Sequence, residues 1–226
     1  MVTKKIVCLA NSFRPGGSCV AGIEIVNGQY GDWIRPISHR ANEAISDFEK
    51  TYADGTRLAL LDVIEISFDA HRPEHHQTEN WLISRGVKWR KLRTASRDEL
   101  LGAVIPQTAP LWLPAQSTNR GLNDKIATDV AQNFTCSLAL IKPETADVEV
   151  SVNRYNPDNP KTEIWVEFSW SGIDHKMKLT DPVQFERFKT GGGGCHRLKN
   201  PFLCISLAEV WEQNQSASML VAGLIP

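Results

Sequence analysis

Two stretches of this chain read as hairpins, and they constrain its fold more than any other feature. In "IEIVNGQYGDWIRPI", Ile23 to Ile37, Asn27-Gly28 separates two runs of alternating character. Asn-Gly is the strongest short hairpin signal, because both turn residues tolerate positive φ. "EIWVEFSWSGIDHKMKL" repeats the arrangement, with Ser171-Gly172 at its tip. Other short runs rich in β-branched and aromatic residues extend the pattern. Strands are expected at Lys5–Ala10, Cys19–Val26, Asp32–Ile37, Leu60–Phe68, Cys136–Ile141, Val148–Val152, Glu163–Trp170, His175–Leu179, Phe202–Ser206 and Met219–Leu224.

Helices are few. Ser96 and Glu99 form a capping box that opens "SRDELLGAV". "LNDKIATDVAQN" reads as a short amphipathic segment, and "TDPVQFERF" offers Asp181 as N-cap with Pro182 in the first turn. The strands cluster before Phe68 and after Cys136, with a polar, helical middle between them. At 226 residues, one large domain or two small ones fit. One continuous β-sandwich competes with two small barrels. The layout favours two: a barrel with a helical insert over 1–115, and a second over 116–226.

Particular segments then become recognisable. "KKIVCLANSFRPGGSCVAGIEI" with "GDWIRPIS", followed in order by "HQTENWL", "STNRGLNDKI", "KLTDP" and "LCISLAE", resembles the bacterial dual OB-containing domain family over essentially the full chain. The resemblance implies a mainly β protein with short helices, built as two OB-like β-barrels in tandem, and a nucleic-acid or nucleotide-binding role. It brings no catalytic motif. "TGGGGCHRLKN" is richer in glycine than the family pattern.

"SFRPGGS" could be taken for a phosphate-binding loop, but the Lys-Ser/Thr of such a loop does not follow Gly17. A dinucleotide fingerprint needs a following helix, whereas "CVAGIEIV" is a strand. The segment therefore reads as a strand–strand turn with Arg14 exposed at its tip, where it is a candidate nucleic-acid contact. Lys plus Arg is 25 against 26 Asp plus Glu, so a nucleic-acid role must rest on a local basic face. Five cysteines without a CxxC pair argue against a disulfide framework or a structural zinc site. Cys195, beside His196 after four glycines, reads as an incidental thiol in a flexible loop, and Cys8, Cys136 and Cys204 as small core residues. The N-terminal apolar run is too short for a signal peptide and no stretch approaches a membrane span, so the expected location is cytoplasmic.

Four segments carry candidate ligand contacts. "SRGVKWRKLRTASR" surrounds Trp89 with Arg85, Lys88, Arg90, Lys91, Arg93 and Arg97, a pattern suited to phosphates with one stacked base. The alternative is a solvated basic turn whose tryptophan plugs the core. "GDWIRPISHR" puts Trp33 and Arg35 on one strand face, with His39 and Arg40 beyond. That is either a binding face or a core Trp33 with Arg35 paired to a carboxylate. "HRPEHHQTENW" holds His71, Glu74, His75, His76, Glu79 and Asn80. Pro73 and the spacing argue against a metal site, and His76 with Asn80 suits a ligand-reading loop. "QSTNRGLND" offers Asn119 and Arg120 as ligand-facing members, against capping roles for the whole cluster.

The sequence reading is a non-catalytic module for single-stranded DNA or RNA, or a nucleotide-like ligand, with no cofactor or metal. The resemblance is compatible with a sensor or adaptor in a larger bacterial complex, such as one acting in antiviral defence. Two rivals remain: a nucleotide-processing enzyme using His76, Glu79 and Asp124 or Asp181, and a protein-interaction adaptor with exposed tryptophans.

Overall fold

The computed structural model describes residues 1–153, 160–192, 194–211 and 213–226. Two compact units emerge. The first comprises Met1–Val104 with Thr135–Ser137, and the second Ile105–Phe134 with Leu138–Pro226.

In the first unit, strand β1 (Val2–Arg14) leads to β2 (Gly17–Val26), β3 (Gln29–Ile37), β4 (Asp62–His71), β5 (Asn80–Ile83) and β6 (Arg90–Thr94). β1 pairs with β4 through Val2–Val7 and with β2 through Ile6–Arg14. It changes partners at a bulge between Cys8 and Ala10, and a bulge is what bends a strand and raises its twist. The path β1-β2-β3-β5-β4 returns to β1, with a parallel step between β3 and β5. This is an OB-like barrel. Ile6, Val20, Ile34, Ile64, Phe68 and Trp89 belong to its apolar centre. Gly22 sits opposite Cys8, and a Cβ there would lie 2.2 Å from the Val7 carbonyl oxygen.

The second unit has β7 (Lys125–Ala127), α1 (Thr128–Ala131), β8 (Leu138–Ile141), β9 (Thr145–Asn153), β10 (Lys161–Trp170), β11 (Ile173–Leu179), α2 (Pro182–Thr190), β12 (Gly194–Lys199), β13 (Phe202–Trp211) and β14 (Ser216–Ile225). β9 pairs with β10, β10 with β11, β11 in parallel with β14, and β14 with β13. β8 pairs with β13, so β8 and β9 together do the work of β1 in the first unit. The two units thus share one pairing scheme.

Both expected hairpins form, and their turn residues all have positive φ: Asn27 at 53° and Gly28 at 81°, Ser171 at 52° and Gly172 at 75°. The turn at Pro15-Gly16 joins β1 to β2, as "SFRPGGS" predicted. Asp181 caps α2 by accepting from the Val183 and Gln184 amides. Ser96 and Glu99 bond reciprocally, yet they open only a 3-10 segment, Asp98–Ala103.

Three expectations need correction. "LNDKIATDVAQN" is not one helix: Lys125–Ala127 is drawn into a strand beside β14, leaving four helical residues. The glycine-rich segment is not a free loop from Gly194 onward, because Gly194–Lys199 pairs with β9. Gly193 lies outside the described residues. Cys136 is half-buried ahead of β8 rather than inside a strand.

Candidate nucleic-acid interface

After β3, the chain of the first unit leaves the sheet at Ser38 and passes through Glu49 before returning to β4. Glu49 organises this connection. Its carboxylate accepts from the Ser38 hydroxyl at 2.7 Å, the Ser46 amide at 2.7 Å and the Ser46 hydroxyl at 2.6 Å. Desolvation pulls its pKa upward, but the Ser46 and Ser38 bonds and the nearby Arg40 outweigh it, and Glu49 is held below the usual carboxylate range. The opposite wall is the segment between β5 and β6. Trp89, 2% exposed, anchors that segment in the core.

Between these walls lies a cleft of about 360 Å³, at the lower end of the range for small-molecule sites. Arg40, Arg85 and Lys88 line it against the single carboxylate of Glu49, with His39 beside them. Phe48 stands at its edge with 75% of its surface exposed. The Lys88 ammonium lies 3.6 Å from the Phe48 ring centroid and donates to the Phe48 carbonyl at 2.7 Å. Arg40 is steadied by donating to the Gly16 carbonyl at 2.7 Å. His39 Nε2 is 2.9 Å from the Ile83 carbonyl and 3.4 Å from Asp69 Oδ2. Asp69 is held below its ordinary range, first by the Ser84 hydroxyl. Local positive charge beside an open aromatic face can meet a phosphate and a stacked base together.

The structure separates the candidate residues sharply. Arg40 joins Arg85 and Lys88 in the cleft, although more than forty residues separate them in sequence. Trp89 next door offers no face to a base, a correction that follows from its place in the core. Arg90, Lys91 and Arg93 form β6 and pair with Glu65, Asp62 and Glu99. Arg35 is 2% exposed, and its guanidinium donates to Glu79 Oε1 at 3.2 and 2.9 Å while reaching Cys19 Sγ at 3.1 Å. It is therefore a buried pair rather than a phosphate contact, and Trp33 beside it is half-buried. Arg14 is half-buried at the β1–β2 turn.

His76 and Asn80 are each 1% exposed, so the segment expected to read a ligand is packed inside. Asn80 opens β5 opposite Arg35 in parallel register, which draws the neighbouring Glu79 inward. The Glu79 carboxylate also accepts from the Ser137 hydroxyl and amide. A carboxylate occupied in this way is poorly placed to take a substrate proton. In the second unit, Asp124 accepts from Thr118 and Asp181 caps α2. Asn119 and Arg120 are exposed, with Arg120 bonded to Glu163 and Ser151.

Phe48 was not among the sequence candidates. The "SDFE" around it shows only a capping pattern, and exposure of its ring is a property of the fold. Among the described residues, no group of three or more His, Cys, Asp or Glu side chains could hold a metal ion, and no helix is long and apolar enough to cross a membrane. The sequence model of the family described as the dual OB-containing domain matches residues 4–224, and no curated protein matches the chain.

Proposed function

We propose, from the premise that this chain belongs to the dual OB-containing domain family, that its first unit binds single-stranded nucleic acid or a nucleotide-like ligand in the Phe48 cleft. OB barrels are a common scaffold for oligonucleotide binding. The observation that carries the reading is Phe48, 75% exposed and flanked by Lys88 with Arg40 and Arg85 in the same cleft. Phe48 supplies a stacking face and the cations meet the backbone charge. The five cysteines, none in a disulfide, fit a reducing compartment, and we place the protein in the cytoplasm. In this reading it serves as a sensor or adaptor in a larger bacterial complex, with antiviral defence as its setting.

The test is fluorescence anisotropy with short labelled single strands of DNA and RNA. Phe48→Ala is expected to weaken binding about tenfold, the loss of one stacked base. Arg90→Ala, which removes a β6 side chain engaged by Glu65 of β4, leaves affinity within about twofold. Absence of binding at low salt, or wild-type affinity in Phe48→Ala, overturns the proposal.

A further inference from the structure

The basic residues of the first unit are of two kinds. Arg90, Lys91 and Arg93 each hold a carboxylate. Arg40, Arg85 and Lys88, which line the Phe48 cleft, have no ion-pair partner among the described residues. Two of them are held by neutral acceptors instead. Arg40 donates to the Gly16 carbonyl at 2.7 Å and the Ala44 carbonyl at 3.5 Å, and Lys88 to the Phe48 carbonyl at 2.7 Å. Cations fixed in this way keep their charge for an anion, and they are placed before it arrives.

His39 lines the same cleft. Its Nε2 lies 2.9 Å from the Ile83 carbonyl oxygen, which can only accept, so in the neutral ring Nε2 carries the proton. Asp69 Oδ2 faces the same nitrogen at 3.4 Å, and the Ser84 hydroxyl fixes Asp69 by donating to its other oxygen at 2.6 Å. Nδ1 is left with a lone pair, has no partner among the described residues and is not buried. An imidazole fixed through one nitrogen and open at the other is the arrangement of a general base. The carboxylate behind it stabilises the imidazolium once a proton is taken.

We propose that this cleft cleaves single-stranded RNA, by attack of a ribose 2′-hydroxyl on the adjacent phosphorus with His39 Nδ1 as base; the inference rests on the Phe48 cleft being a single-strand site. Phe48 stacks on the base, and the phosphate that follows it sits among Arg40, Arg85 and Lys88. His39 takes the 2′ proton as the bond from the 2′ oxygen to phosphorus forms and the bond from phosphorus to the 5′ oxygen breaks. The three cations meet the extra negative charge on the phosphoryl oxygens as it develops. The leaving 5′ oxygen takes a proton from water, and His39 returns its own to solvent. The products are a strand ending in a 2′,3′-cyclic phosphate and a strand with a free 5′-hydroxyl. DNA lacks the attacking hydroxyl, so it is bound and not cut.

The experiment incubates the full chain with a short 5′-labelled single-stranded RNA and a chelator, while anisotropy reads binding in parallel. Mass spectrometry is expected to find the cyclic phosphate on the labelled fragment. The matched DNA stays intact, and a single 2′-deoxy substitution at the cut position protects that position. His39→Gln still binds the strand and slows cleavage by about a hundredfold or more. Asp69→Asn, which acts only through His39, leaves Kd unchanged and slows cleavage about tenfold, part of the same contribution. RNA that is bound but cut no faster than without protein overturns the inference and leaves the binding reading standing. So does cleavage at the wild-type rate in His39→Gln, or a new end bearing a 5′-phosphate. Absence of binding to either strand at low salt overturns both readings together. Where His39→Gln fails to fold, the deoxy-substituted strand and Asp69→Asn carry the test.

Discussion

In the first unit, the strand that begins the barrel runs unbroken from Val2 to Arg14 and turns at a bulge beside Gly22. In the second, the equivalent path is cut in two, with Pro143 in the gap between β8 and β9. One topology is reached by bending a strand and by ending one. The connection after the third strand differs as well. The first unit replaces a regular helix with a connection organised by Glu49, and this irregular segment lines the cationic cleft. The second uses α2, capped by Asp181, and its outer face mixes lysines with carboxylates. The comparison teaches that the irregular connection, rather than the shared barrel, creates the open site.

The largest break in that comparison is expected at the buried pair of the first unit. Glu79→Ala strands the Arg35 charge and costs about 3–5 kcal/mol, read by urea denaturation. The double replacement Arg35→Met with Glu79→Leu recovers most of the loss. In the second unit Glu163 is only 12% exposed, but its partners Arg120 and Lys178 both reach water, and Glu163→Gln, which strands no buried charge, costs about 1–2 kcal/mol.

Gly22→Ala comes next. Its added methyl meets backbone rather than a movable side chain, at 2.2 Å from Val7 O, and costs about 1–3 kcal/mol. Pro143→Ala, at the corresponding corner of the second unit, changes stability by less than about 1 kcal/mol, because a strand that has already ended needs no bend. Equal effects at the two corners would contradict the comparison.

Acid sharpens it further. His175 is fully buried against Phe168, and burial pushes its pKa down, only partly offset by the Asn123 carbonyl. A depressed imidazole contributes stability that is full above its unfolded pKa of about 6.5 and is lost as pH falls toward the folded value. Thermal melts from pH 7.5 to 5 should therefore show a decline that is reduced in His175→Leu. An unchanged decline in that variant would assign the acid sensitivity elsewhere.

Much of the fold was legible because local chemistry decides it. Asn27-Gly28 and Ser171-Gly172 dictate their turns, and Asp181 with Pro182 dictates the start of α2. β5 falls in the segment expected as a ligand-reading loop, and β6 and β12 were not legible either. Their sequences, "RKLRT" and "GCHRLK", lack strand alternation of apolar residues, and pairing with β4 and β9 makes them strands. The site was legible only in fragments. Arg40, Arg85 and Lys88 stood out as charges, but their meeting depends on two loops that tertiary structure brings together. Trp89 misled because its basic neighbours suggest a binding surface, while its own ring fills the core.

The most direct test of the central claim is the salt dependence of single-strand binding in wild type and Arg85→Ala. Each neutralised phosphate contributes about −0.7 to the slope of log affinity against log salt. Three cleft cations predict a slope of about −2 in wild type, with a slope shallower by about 0.7 in the variant. Equal slopes, or no binding at low salt, would contradict the assignment of the cleft as the nucleic-acid site.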